Sequence, residues 1–346
     1  MEDLHTRLTN LLLGLQFTEI SFNEWTQNYL QNGNKIWTFF SEYLSAAQLL
    51  DIVVPLFGAF QHQLLVRLVC SLSIVNAVNS LVKWSVPATR PYWWIREHES
   101  MVPNKTQLKV YPLTCETSSG FPSSHCMSFA TFTYIIVIFA VVRLRKHCNL
   151  NKELADFISQ ILFTLSASGM TISRLYFSTQ FLHQCIAGSI FSIMLLELFA
   201  YYAPLLTTVS RSYATSVVVL FAMSPFLIYY GMLRMNMDPH WSVRMAFNWC
   251  PDPSYLRHEA SPIFVLGRDF GFLFGVALSA PINKRYNDEG KLWKRIPVML
   301  IVELLNYYIR LNTPKDNGRF IFVAYEFLRN MFHSFTLLSI LPVLTK

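Results

Sequence analysis

The chain has 346 residues, of which 53% are hydrophobic and only 14% charged, against about 25% charged in an ordinary soluble domain. This excludes a disordered chain, a coiled coil and a disulfide-dense secreted module, and at roughly 20 residues per span plus loops it leaves room for about nine membrane spans. The net charge of +7 comes without a dense Lys/Arg tract, so it reads as loop bias in a membrane protein and excludes a nucleic-acid partner.

Residues 1–35 are polar, with a short apolar patch from Leu11 to Leu15. The acidic start, Met1-Glu2-Asp3, lacks the basic n-region of a cleavable signal peptide, so insertion falls to the first span. Apolar runs predict spans at 36–60, 62–82, 123–142, 154–172, 184–204, 214–233, 262–281, 296–312 and 320–343. The stretch from Tyr213 to Leu233 carries no charge. The last two runs contain Glu303 and Arg310, then Glu326 and Arg329. A charge at mid-bilayer costs about 2.5–3.5 kcal/mol on insertion scales, so these four are expected to face protein or an interface. The expected fold is all-α, one integral membrane domain over 1–346.

Loop charges orient this map. Arg143, Arg145 and Lys146 follow the third span, and Lys284, Arg285, Lys291, Lys294 and Arg295 lie between the seventh and eighth. Both loops read as cytoplasmic, which places the N-terminus on the other side and the C-terminus in the cytoplasm. Loop 83–122 then faces the lumen, and it holds the sequon Asn104-Lys105-Thr106, with Asn104 the glycosylation candidate. The loop's own cations, Lys83, Arg90, Arg96, Lys105 and Lys109, run against the charge rule and need a separate reason. The six cysteines show no CxxC spacing, which argues against zinc. Cys115 and Cys250 both fall in predicted lumenal loops, and a disulfide between them stays open.

Three polar islands lie at span ends on this face. They are Lys83 to Pro91, Phe121-Pro122-Ser123-Ser124-His125, and Ser173 to His183. Taken singly, each cation reads as a snorkelling anchor and each histidine as a structural one. Together they supply what a phosphate ester needs. Lys and Arg neutralise non-bridging oxygens, helix N-termini donate N–H groups, and histidine serves as acid or nucleophile.

The order K-x6-R-P, P-S-x-H and S-R followed by histidine resembles the type 2 phosphatidic acid phosphatase and vanadium haloperoxidase superfamily. Within it, Arg90-Pro91-Tyr92-Trp93-Trp94, Thr114-Cys115-Glu116-Thr117, Ser173-Arg174-Leu175-Tyr176 and Asn248-Trp249-Cys250 are similar to the glucose-6-phosphatase catalytic subunit family. The resemblance covers nearly the whole chain. It implies a nine-span protein of the endoplasmic reticulum membrane with a lumen-facing site, hydrolysing glucose 6-phosphate to glucose and phosphate in gluconeogenesis and glucose homeostasis. It implies phosphate binding by Lys83, Arg90, Ser123, Ser124 and Arg174, with His125 as proton donor and no metal or cofactor. A separate transporter would supply glucose 6-phosphate to the lumen. Tyr92, Trp93 and Trp94 could stack on a sugar, but the preferred reading is an interfacial aromatic belt.

Two positions depart from the family pattern. S-R-x5-H places the nucleophilic histidine where this chain has Gln180, which can donate a hydrogen bond to phosphate but cannot form a phosphohistidine. His183, three residues on, is the candidate substitute, about 4.5 Å further along if the segment is helical. Ser124 stands where the family has glycine, and its Cβ narrows backbone approach to an anion. The alternatives are an impaired relative that binds sugar phosphate or regulates, and a phosphatase of lipid or other sugar phosphates.

Overall fold

A computed structural model describes residues 2–100, 107–202, 208–257, 260–282, 292–314 and 318–345, with side chains from residue 11 onward. Asn104 and the basic residues Lys284, Arg285 and Lys291 lie outside the described residues. The described chain is helical apart from its loops and one isolated bridge between Glu116 and Arg257.

A long helix, α1 (Glu2–Tyr29), opens the chain. Helices α2 (Gln31–Tyr43) and α3 (Ala46–Phe60) divide the first apolar run with a bend of 60°. Ser45 makes the break by restarting the helix, its hydroxyl accepting from Gln48 N. Then come α4 (His62–Ser85), the short α5 (Pro91–Glu97), α6 (Ser124–Cys148), α7 (Lys152–Tyr176) and α8 (Leu182–Tyr202). The uncharged run is α9 (Arg211–Phe221) and α10 (Ser224–Arg234), offset where Pro225 begins a new first turn. The rest are α11 (Trp241–Trp249), α12 (Pro262–Leu278), α13 (Leu292–Leu311) and α14 (Arg319–Leu344).

Among the described residues, five helices are long and apolar enough to cross a membrane: α4, α6, α8, the α9–α10 pair and α14. The bent α2–α3 pair makes a sixth if counted as one span. The other three predicted runs are helices too, but α12 has only 17 residues, α13 carries charges and Pro297, and α7 is rich in Ser and Thr. Many apolar side chains point outward, among them Leu220 and Leu227 on α9 and α10. Such a surface is stable against lipid and not against water.

The main core lies where α4, α6, α8, α12 and the end of α14 meet around Leu65, Leu68, Phe129, Phe272 and Leu337. The charges in the last two runs do face protein. Arg310 and Arg329 converge on Asp51 of α3 at 3.2 and 3.5 Å, Arg329 also bonds Glu326 at 2.9 Å, and His333 meets Glu303 at 2.9 Å. Pairing of this kind is what makes charge tolerable at depth. The aromatic triplet is not a belt. Tyr92, Trp93 and Trp94 are all buried, with Trp93 against Trp241 and Trp94 against Phe17 and Phe181.

Candidate active site

Four chain turns meet at one end of the bundle. α4 ends with Lys83 in its last turn. Arg90 sits in the extended residue that caps α5, where Pro91 fixes the first helical turn. Ser123 caps α6, its hydroxyl accepting from Cys126 N at 3.4 Å, which puts Ser124 and His125 in the first turn. α7 ends at Tyr176 with Arg174 in its last turn. The basic Arg145 and Lys146 lie at the far end of α6, so the site and that basic cluster are at opposite ends of one helix.

The loop from Glu116 to Gly120 threads between these ends and satisfies the cations. Lys83 Nζ donates to Ser119 O at 2.6 Å. Arg90 Nε donates to Ser118 O at 2.7 Å, and its Nη1 to Thr179 O at 2.8 Å. Gly120 is required here, because a Cβ would stand 2.6 Å from Thr89 O. Gly188 of α8 plays the same part against Ser123 O, at 2.7 Å, and lets α8 press on the start of α6.

At the centre lies Glu116, part of the motif Thr114-Cys115-Glu116-Thr117, to which the sequence assigns no role. Its carboxylate bridges Arg90 Nη2, at 2.9 Å, and Arg174 Nη2, in a short contact. His125 Nδ1 is 4.0 Å away. All four side chains are buried. Burial alone would push the Glu116 carboxyl up, but Arg174 and Arg90, with His125 and Lys83 behind them, hold it well below the usual carboxylate range. Arg174 is steadied on its other side by Ser41 Oγ at 3.1 Å. A cavity of about 130 Å³ is lined by Lys83, Glu116, Ser124 and His125, and extends past Asn79 to Arg268.

Gln180 is fully buried at this centre. In the amide orientation that satisfies its neighbours, its Oε1 accepts from Arg90 Nη1 at 2.6 Å, and its Nε2 donates to Gln184 Oε1 at 2.9 Å and to Gly120 O. The chain reaches it through a tight reversal after α7, with Ser178 left-handed at φ 50° and Thr179 N returning to Arg174 O at 3.1 Å.

His183 is turned elsewhere. Its ring Nδ1 meets Glu19 Oε2 at 2.6 Å and its backbone N–H donates to Glu19 Oε1 at 2.8 Å. Among the described residues, no hydrogen bond or ion pair joins it to Lys83, Arg90, Arg174 or His125. The intervening residues form a turn and a new helix start instead of one continuous helix, so the expected offset along a single axis does not apply.

The composition of residues 1–35 predicts a polar N-terminal segment outside the spans. In the structure α1 clamps the reversal that carries Gln180. Asn23 Nδ2 donates to Leu175 O at 3.1 Å and Gln180 O at 3.2 Å. Gln27 Nε2 donates to Tyr176 O at 2.8 Å, and its Oε1 accepts from Lys109 N at 2.8 Å. Gln27→Ala leaves these buried groups unpaired, and the expected loss of stability is about 1–3 kcal/mol. A lowered unfolding midpoint of the purified protein checks this, and an unchanged midpoint would refute the clamp. The disulfide left open by the sequence is present, with Cys115 and Cys250 joined beside Glu116.

The PAP2 superfamily model matches residues 64–208, which hold Lys83, Arg90, His125 and Arg174. The chain is 26% identical to human glucose-6-phosphatase 2 over 308 residues, covering 84% of each. It is 27% identical to mouse glucose-6-phosphatase catalytic subunit 1 over 277 residues, covering 76% of each. Bovine glucose-6-phosphatase 3 is 26% identical over 275 residues, 78% of this chain and 77% of the relative. No solved structure matches the chain. The motif residues thus converge around one buried carboxylate inside the region that the PAP2 superfamily model matches, and over most of its length the chain is similar to proteins named glucose-6-phosphatase.

Proposed function

We propose that this protein binds glucose 6-phosphate at the lumenal face of the endoplasmic reticulum membrane and hydrolyses it slowly, by direct phosphoryl transfer to water. One observation carries the reading: Arg90 and Arg174 grip the two oxygens of a single buried carboxylate. Two oxygens of a phosphoryl group fit the same pair of guanidinium groups. Substrate therefore competes with Glu116 for its place. Lys83 adds positive charge, and the start of α6 at Ser123 and Ser124 offers backbone N–H groups. The sugar-phosphate substrate and the membrane location follow the family, and the lumenal side follows the loop charges. Nine spans, with the N-terminus lumenal and the C-terminus cytoplasmic, are part of the same proposal, as are glycosylation at Asn104 and a separate glucose 6-phosphate transporter.

In this mechanism the arginines hold the phosphoryl group while water attacks phosphorus opposite the sugar oxygen. The bond from phosphorus to the sugar oxygen breaks, and His125 gives that oxygen a proton. One proton of the water stays on phosphate and the other restores His125. Gln180 steadies Arg90 through its amide oxygen and forms no covalent intermediate. His183 is not assigned the nucleophile's part, because its described partner is Glu19 and no hydrogen bond or ion pair joins it to Arg90, Arg174 or His125 among the described residues.

A second reading, a sugar-phosphate-binding protein without turnover, is favoured by the same Gln180. Phosphate release from glucose 6-phosphate by the purified chain separates the two. Release by the wild type that disappears in Arg174→Ala supports hydrolysis. Binding without release supports the second reading, and absence of both overturns the proposal.

A further inference from the structure

The polarity of α1 is inside out. Its side chains toward the protein are polar: Glu19, Asn23, Thr26 and Gln27 are all buried. Leu11, Leu15, Phe22, Trp25 and Tyr29 are exposed, with Leu11 and Tyr29 each at 72%. Their spacing of three, four or seven residues lines them on one stripe of the helix. Phe22, Trp25 and Tyr29 form a ladder along it, with ring centroids 5.7 and 5.5 Å apart. A third edge, at Ser21 and Asn28, is exposed and carries no large apolar group. The helix thus shows three faces: one to the protein, one apolar, and one polar and open.

The placement of α1 explains the third edge. From Phe17 to Gln27 its partners are Trp94, Phe181, the reversal after α7 and Lys109. All belong to the site end of the bundle. α1 therefore lies across that end and does not run along the bundle as a span. The next exposed aromatic pair, Phe39 and Tyr43 on α2, is stacked at 5.6 Å and belongs to the bent pair that passes the test for a span. The apolar stripe of α1 is thus followed along the chain by a second exposed apolar pair, on a candidate span.

We propose that α1 is an in-plane helix seated in the membrane interface, with Leu11, Leu15, Phe22, Trp25 and Tyr29 in the boundary between headgroups and acyl chains. The chemistry fits one occupant, a lipid surface. Trp and Tyr favour that boundary, where an apolar ring body and a polar tip are both satisfied. The polar edge then faces water and the buried polar face holds the protein. Because Asn23 and Glu19 on that face hold Gln180 O and His183, the lipid seat braces the loop that lines the site.

The test uses the full chain in phosphatidylcholine nanodiscs, with exposed Cys148 replaced by serine. Nitroxide labels go singly on Phe22→Cys, Trp25→Cys and Tyr29→Cys, and on Ser21→Cys and Asn28→Cys as the polar edge. Labels at 22, 25 and 29 are expected to collide more with oxygen, which concentrates in lipid, than with a water-soluble nickel chelate. Labels at 21 and 28 are expected to show the reverse. Chelate access at all five positions overturns the proposal. So does protection from both reagents with spin–spin broadening at 22, 25 and 29, which would mark a second copy of the chain as the occupant. Should the labels disturb folding, Trp25→Phe gives an independent reading, since brominated lipid should quench the wild type more than this variant. Equal quenching overturns the proposal.

Discussion

Gln180→His is expected to raise the rate of phosphate release from glucose 6-phosphate by about 10²–10⁴-fold, the range that a positioned catalytic side chain supplies. Gln180 already sits fully buried, bonded to Arg90 Nη1 and Gly120 O, so the place is formed and only its chemistry is missing. The amide nitrogen lone pair is delocalised and cannot attack phosphorus. An imidazole nitrogen can, and it splits one displacement into two easier ones. The substitution should also change the intermediate. Rapid quenching of Gln180→His with labelled substrate should trap an acid-labile, base-stable phosphohistidine that the wild type never shows. A higher rate without that intermediate would mean that histidine acts only as a base on water. No gain at all would place the defect elsewhere, with Ser124 the next position to change.

The second large effect concerns Glu116. Glu116→Gln removes the anion that Arg90 and Arg174 share, leaving two buried guanidinium groups with reduced compensation. Breaking a buried ion pair from one side costs about 3–5 kcal/mol, and that is the expected loss in unfolding free energy at neutral pH. Inorganic phosphate should restore much of it, and should raise the unfolding midpoint of the variant more than that of the wild type, where phosphate must first displace Glu116. The pH dependence has a defined sign. The folded carboxyl is held well below its ordinary value, so its contribution is complete above the unfolded pKa and is lost as pH falls through the folded one. The stability gap between wild type and variant should therefore persist through the ordinary carboxylate range and close only in stronger acid. A gap that is absent at neutral pH, or indifferent to phosphate in both proteins, would refute the role of Glu116 as occupant of the anion seat.

The cations and histidine of the site were legible because their chemistry is scarce in this chain. Lys83, Arg90, His125 and Arg174 stand out in a sequence only 14% charged, and each falls at the edge of an apolar run. Gln180 was legible as a departure from a motif. Glu116 was not, because nothing in Thr114-Cys115-Glu116-Thr117 tells that a loop carboxylate will be drawn between two helix ends. The long-range contacts Arg90–Glu116 and Arg174–Glu116 decide it. Asn23 and Gln27 are lost in the polar composition of residues 1–35 for a related reason. A polar residue has the same local pattern whether it meets water or the carbonyl of a residue about 150 positions away.

The sequence alone determined that the protein is helical, with several apolar runs long enough to cross a membrane. It also determined which residue types gather at one end. The tertiary structure alone decided that Tyr92, Trp93 and Trp94 are core and that His183 belongs to Glu19. It also decided that the anion seat between Arg90 and Arg174 holds the chain's own Glu116. The reason is physical: periodicity records what each segment prefers by itself, while charge pairing and burial depend on which distant segments are brought within a few ångströms of each other.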